Sequence, residues 1–135
     1  MNFFFDNNLS PYLARAIGAL SEPDGIQVIH LRDKFAPSTP DIIWLAELAK
    51  EGGWAIISQD RLTRNQLEKE ALRRSGLVAF ILAKGSSSLR EWDKAWRIVR
   101  WWPRILEQAE LIAGGAAFEV PVRFVGKGKL QSIRL

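Results

Sequence analysis

Leu77-Val78-Ala79-Phe80-Ile81-Leu82 is six apolar residues in a row with no polar residue between them. A strand with one wet face alternates, whereas a strand covered on both faces does not. The run therefore predicts a strand inside a parallel sheet with helices on both sides. Upstream, Thr63 is placed to cap a helix over Arg64–Arg74, which Ser75-Gly76 closes. Before that, Trp54–Ser58 reads as a strand running directly into Gln59-Asp60. Pro40–Lys50 reads as a helix with an apolar stripe at Ile42, Ile43, Ala46 and Ala49, stopped by Gly52-Gly53. Further out lie a loop at Ala36–Pro40, a strand at Ile26–Leu31 and a turn at Pro23–Gly25. The first helix starts at Ser10, with Pro11 in the first position and an apolar face at Leu13, Ile17 and Leu20. Asn2–Phe5 is a short strand ending at Asp6.

Downstream of the apolar run, Gly85–Ser88 reads as a linker. A long helix follows within residues 88–113, with a kink expected at Pro103. Phe118–Val125, interrupted by Pro121, reads as an edge strand, and residues 126–135 as a basic, unpatterned tail. Strand and helix alternate across short connections, which implies right-handed parallel crossovers. The expected architecture is one domain over residues 1–135, a three-layer α/β/α fold with a mainly parallel sheet of about 4–5 strands. Ligands in such folds bind beyond the carboxyl ends of the strands, where strand order reverses.

Composition is that of a globular chain, with 47% hydrophobic and 25% charged residues. The absence of cysteine excludes a disulfide framework and thiolate metal sites, and fits a cytoplasmic location. The opening MNFFFDNNLS lacks the basic region of a secretory leader. No apolar run approaches the roughly 18 residues of a membrane span. The net charge of +4 is uneven: residues 1–72 carry 7 Lys/Arg against 10 Asp/Glu, and residues 73–135 carry 12 against 5. An acidic half joined to a basic one suits a chain that holds a cation and a polyanion together, although solvated faces give the same count.

Asp6 follows the first strand, Asp41 opens the helix after the second, and Asp60 follows the third. All three are therefore expected at one edge of the sheet. Carboxylates gathered there would repel without a cation, and Mg²⁺ or Mn²⁺ takes oxygen ligands of this kind. Each also has an ordinary structural explanation: a turn at Asp6 and Asp60, a helix start at Asp41. The only histidine, His30, sits among apolar neighbours and reads as a packing residue.

The long helix carries four of the six tryptophans. At helical spacing, Trp92, Trp96, Val99, Trp102 and Leu106 share a face that would pack against the sheet or form a dimer interface. Arg90, Lys94, Arg97, Trp101 and Arg104 fall opposite, where cations beside an exposed ring could hold nucleic acid.

Phe3-Phe-Phe-Asp-Asn-Asn-Leu-Ser-Pro-Tyr-Leu-Ala-Arg-Ala, Val28-Ile-His-Leu-Arg-Asp, Thr39-Pro-Asp-Ile-Ile-Trp-Leu-Ala and Trp54-Ala-Ile-Ile-Ser-Gln-Asp-Arg resemble, in order and spacing, small PIN-like domains. The likeness covers residues 1–82. The segment from Asp60 to Leu72 looks like that of the VapC-related toxin branch. The resemblance implies a Mg²⁺- or Mn²⁺-dependent ribonuclease with Asp6, Asp41 and Asp60 as catalytic and metal-site acids. It also implies an RNA substrate, a cognate antitoxin and a homodimer. Such nucleases usually bring four acids; Glu68 is the candidate for the fourth. Asn8, Ser58, Arg61, Arg64 and Asn65 are supporting candidates, with Arg61 or Arg64 placed to hold a phosphate oxygen. Two other readings compete: a catalytically weak module that binds RNA or a protein through its basic helix, and a phosphotransferase. Asn8 stands where a phosphotransferase would need a second aspartate.

Overall fold

A computed structural model of the chain describes every residue except Arg61, Thr63, Arg64 and Ala113. One sheet runs through it in the order β2-β1-β3-β4-β5-β6. Its strands are β1 (Asn2–Phe5), β2 (Gln27–His30), β3 (Trp54–Ser58), β4 (Val78–Leu82), β5 (Ala116–Val120) and β6 (Gln131–Ile133). The first five are mutually parallel, and β6 is antiparallel to β5. The helices are α1 (Pro11–Ser21), α2 (Asp41–Glu51), α3 (Gln66–Ser75) and α4 (Glu91–Leu111). This is the mainly parallel α/β/α architecture expected, with six strands rather than 4–5.

Strand alternation sorts the three opening phenylalanines into the two layers. Phe3 and Phe5 join α1 and α4 through Leu13, Ile17, Ile98, Trp102 and Ile105. Phe4 points the other way, onto Trp44, Leu45 and Leu48 of α2 and Leu72 of α3. β3 and β4 are buried along their whole length, as their unbroken apolar sequences require.

The helix starts are set by local polar bonds. Ser10 Oγ accepts the amide hydrogens of Tyr12 and Leu13 at the start of α1. Asn65 Oδ1 accepts from Glu68 N at the start of α3, so Asn65 is its cap, whereas the expected cap Thr63 lies outside the described residues. Gly52 and Gly53 both have positive φ, a backbone that lets the chain leave α2 and re-enter the sheet at once.

Several expectations are corrected. Leu20 is exposed, and the inner face of α1 is Leu13, Ala14, Ile17 and Ser21. Ile42, Ile43 and Ala46 face solvent, while Trp44, Leu45 and Leu48 pack. On α4, Trp92, Trp96 and Val99 are exposed, Trp92 at 87%, and Trp101 is only 2% exposed. The buried stripe is Ile98, Trp101, Trp102, Ile105 and Ala109. These helices carry large apolar residues on two faces, so periodicity fixes that they are helices without fixing their phase. Gly85–Ser88 lies within a short 3-10 turn, Lys84–Ser88. Pro121 ends β5 rather than interrupting it, and β5 is an interior strand. The edge belongs to β6, formed by the tail that carried no strand pattern.

Candidate active site

β1 is followed in sequence by β2 on one side, and β3 then lies on its other side. Strand order thus reverses between β1 and β3, and a crevice opens beyond their carboxyl ends. Asp6 and Asp60 follow those two strands. Asp41 is the first residue of α2. The three line one cleft of about 300 Å³, together with Asn7, Asn8 and Thr39.

Asp6 is 5% exposed. Its amide donates to Ile57 O at 2.9 Å, extending the β1–β3 ladder by one residue. Its Oδ1 accepts from Asn7 N at 2.6 Å and its Oδ2 from Ser58 Oγ at 2.8 Å. Burial raises the Asp6 pKa; the Ser58 and Asn7 bonds oppose this and the Asp60 charge adds to it. Asp41 is raised for like reasons: burial first, then the charge of Asp6, with Glu68 and Asp60 adding. Trp44 Nε1 donates to Asp41 Oδ1 at 3.1 Å and pulls the other way. The four acids proposed from sequence therefore share one electrostatic environment, Glu68 entering through its effect on Asp41.

Ser58 stands at the centre of the polar floor. Its Oγ accepts from Asp60 N at 3.1 Å and Asn8 Nδ2 at 3.4 Å. Its single proton has two acceptors, Asp6 Oδ2 at 2.8 Å and Asp60 O at 3.0 Å. The charged acceptor is the stronger partner. Ser58→Ala is expected to lower stability by about 1–3 kcal/mol, because it strands the Asp60 amide and takes a donor from Asp6. A urea midpoint unchanged from wild type would show that the hydroxyl does not hold these groups.

Asn7 and Asn8 suit a turn by sequence, but each does more. Asn7 reaches the loop before α2, donating to Pro37 O at 3.2 Å and accepting from Arg32 Nε at 2.8 Å. Asn8 reaches the loop after β3, accepting from Gln59 N at 3.0 Å. Two adjacent side chains so join the segments carrying Asp41 and Asp60 to the one carrying Asp6. His30 is buried and holds the same loop from below, with Nε2 2.7 Å from Leu9 O and Nδ1 accepting from Arg32 N. Burial lowers its pKa, in keeping with a neutral ring.

The donor chemistry of the cleft fits a hard divalent cation: carboxylate oxygens from separate segments, with no sulfur or imidazole among them. Among the described residues, no three acids or histidines are gathered tightly enough to hold an ion as they stand. Arg61 and Arg64 lie outside the described residues. Asn65 serves α3 as its cap.

The basic face expected on α4 is largely committed to packing. Arg97 Nη1 donates to Val122 O and Arg104 Nε to Gly128 O, both at 2.9 Å. Trp101 lies against Phe124, ring centroids 4.6 Å apart, and offers no exposed ring for stacking. Arg90 remains exposed and Lys94 half-buried. Among the described residues no helix is long and apolar enough to cross a membrane.

Comparison with curated proteins and with solved structures returns no match for the chain. The PIN-like domain family, by contrast, matches residues 1–84, well over half of the chain and every strand and helix from β1 to β4. The chain belongs to the PIN-like domain family.

Proposed function

We propose that the protein is a Mg²⁺- or Mn²⁺-dependent ribonuclease of the VapC-related kind, the toxin of a toxin–antitoxin pair, working as a cytoplasmic homodimer. The observation that carries the nuclease reading is the cleft at the β1/β3 reversal, which Asp6, Asp41 and Asp60 line. Burial pushes up two of those carboxyls, and neighbouring acids add to it, Asp60 at Asp6 and Asp6 at Asp41. A site in that state resists ionisation alone and gains from a counter-charge. Family membership supports the same chemistry.

In this reading Asp6, Asp41, Asp60 and Glu68 hold the cation. When bound, it supplies an activated water and neutralises the charge that builds on a phosphodiester during hydrolysis. The chain's own work is positional. Ser58 and the Asn7 amide fix both oxygens of Asp6, Trp44 fixes Asp41, and Asn8 keeps the Asp60 segment in register. Arg61 or Arg64 holds a non-bridging phosphate oxygen.

The purified chain is expected to cut a mixed RNA substrate with Mg²⁺ or Mn²⁺ and to stop on addition of EDTA. Either cation should also raise the melting temperature, since a ligand that binds only the folded state stabilises it. An RNA left intact with both metals would end the nuclease reading.

A further inference from the structure

Two tryptophans of α4 stand largely in water. Trp92 is 87% exposed, Trp96 54% and Val99 43%. Pro103 is exposed as well. Spaced by four, three and four residues, these side chains form one stripe along the helix, apart from the buried stripe that meets the sheet. Taking about 250 Å² for a whole tryptophan, the two indoles alone offer roughly 350 Å². A standard interface takes about 800 Å² from each partner. The rest is at hand: Val99 and Pro103 continue the stripe, and α1, in the same layer, exposes Tyr12 and Leu20.

The stripe reads two large residues and then two small ones, an order that complements itself when reversed. In two copies of α4 running antiparallel about a two-fold axis, Trp92 of one copy meets Pro103 of the other, and Trp96 meets Val99. The charges agree. Asp93 and Arg100, two turns apart, share one flank of the stripe. Both are exposed and neither forms an ion pair within the described chain; the Arg100 guanidinium rests 3.7 Å from the centroid of the Phe124 ring. A two-fold axis lying in the interface brings like flanks together, so Asp93 approaches Arg100 of the second copy, and the pair forms twice. A nucleic acid suits the stripe less well. Glu91 and Asp93 flank Trp92 and repel phosphates, while Arg97 and Arg104 are tied to backbone carbonyls.

We propose that this face of α4 binds a second copy of the chain, in an antiparallel α4–α4 pairing centred between Trp96 and Val99. The proposal gives the homodimer its surface and rests on that part of the functional reading alone. Tryptophan is the residue type most often found to dominate such contacts.

The test is sedimentation equilibrium of the full chain over a series of concentrations. Wild type is expected to be a dimer that dissociates on dilution. Trp92→Ala and Trp96→Asp should each raise the dissociation constant on the order of 100-fold, because every substitution occurs twice in the interface. Asp93→Arg should weaken the dimer about tenfold by setting a like charge against Arg100, and adding Arg100→Asp should restore it. All these side chains are exposed, and melting curves taken where wild type is monomeric establish that each variant is folded. A dimer that survives Trp96→Asp, or a charge exchange that restores nothing, would overturn this surface and leave the homodimer to another face. A wild-type chain that stays monomeric throughout would end the surface and the homodimer together, while RNA cleavage by the same sample decides the nuclease reading separately. RNA binding lost in Trp92→Ala by such a monomer would assign the stripe to RNA instead.

Discussion

Asp6→Asn is expected to cut RNA more than ~100-fold more slowly than wild type and yet to melt at a higher temperature in EDTA. The activity figure takes the effect of losing a residue that supports a metal ligand as its lower bound. Asparagine keeps the size of the side chain and one acceptor oxygen, so it can keep the bond from the Asn7 amide or the one from Ser58 but not both; the charge and one acceptor are lost. The stability gain has the opposite origin. The Asp6 pKa lies above its ordinary value of 3.8 because the folded state buries the carboxyl. The stabilisation from its proton is therefore full below that ordinary value and is lost as pH rises through the elevated one. Asp41 is displaced in the same direction and adds to the trend. In EDTA, the contributions of Asp6 and Asp41 fall as pH climbs from about 4 toward neutrality, while those of His30 and Glu51, whose pKa values are both lowered, rise. The stability of Asp6→Asn relative to wild type should therefore increase over that range. Melting curves of both proteins at several pH values check this. A variant that cuts like wild type would place the chemistry elsewhere, and a variant less stable than wild type at neutral pH would show that the carboxylate is adequately compensated.

Trp102→Ala is expected to cost about 3–5 kcal/mol, the usual loss for a large aromatic removed from a core. For a chain of this size that lowers the melting temperature by roughly 11–18 °C. The indole lies 4.8 Å from Phe3 and 6.0 Å from Phe5, centroid to centroid. Its Nε1 donates to Ser21 Oγ at 2.9 Å, and that hydroxyl donates on to Ile17 O. One side chain therefore joins α4, α1 and β1. Trp102→Phe should recover much of the packing and leave Ser21 without its donor, giving a smaller loss. Should Trp102→Ala unfold at the wild-type temperature, α4 would be an accessory rather than a layer of the fold. Residues 85–135 lie beyond the family match, and the covering of Phe3 and Phe5 shows that the matched part relies on them.

The strand order could not be read from the sequence, yet the edge on which the acids fall could. In a parallel sheet every strand points the same way, so a residue directly after any strand reaches the same edge. Asp6 and Asp60 needed no more than that. What joins them needed tertiary structure: Ser58 meets Asp6 across 52 residues, and Asn7 and Asn8 look like turn formers until their partners are known. β6 was missed because three residues, Gln131–Ile133, are too short for a period to show. The helix faces were misjudged for a different reason. Trp92, Trp96, Trp101 and Trp102 give α4 apolar bulk on two sides, and only the sheet decides which side it covers.

The separation between the partners of Trp102 and Ser58 also sets when the site can exist. Phe3 and Phe5 are made about a hundred residues before their cover at Trp102. Pairings this distant close slowly, because the intervening chain must be ordered before they are rewarded. During synthesis the amino-terminal strand has an exposed aromatic face until α4 emerges, and Asp6 lacks its serine until β3 has docked. Until β3 is made, a ribosome carrying this chain thus carries separated carboxylates rather than an assembled cleft.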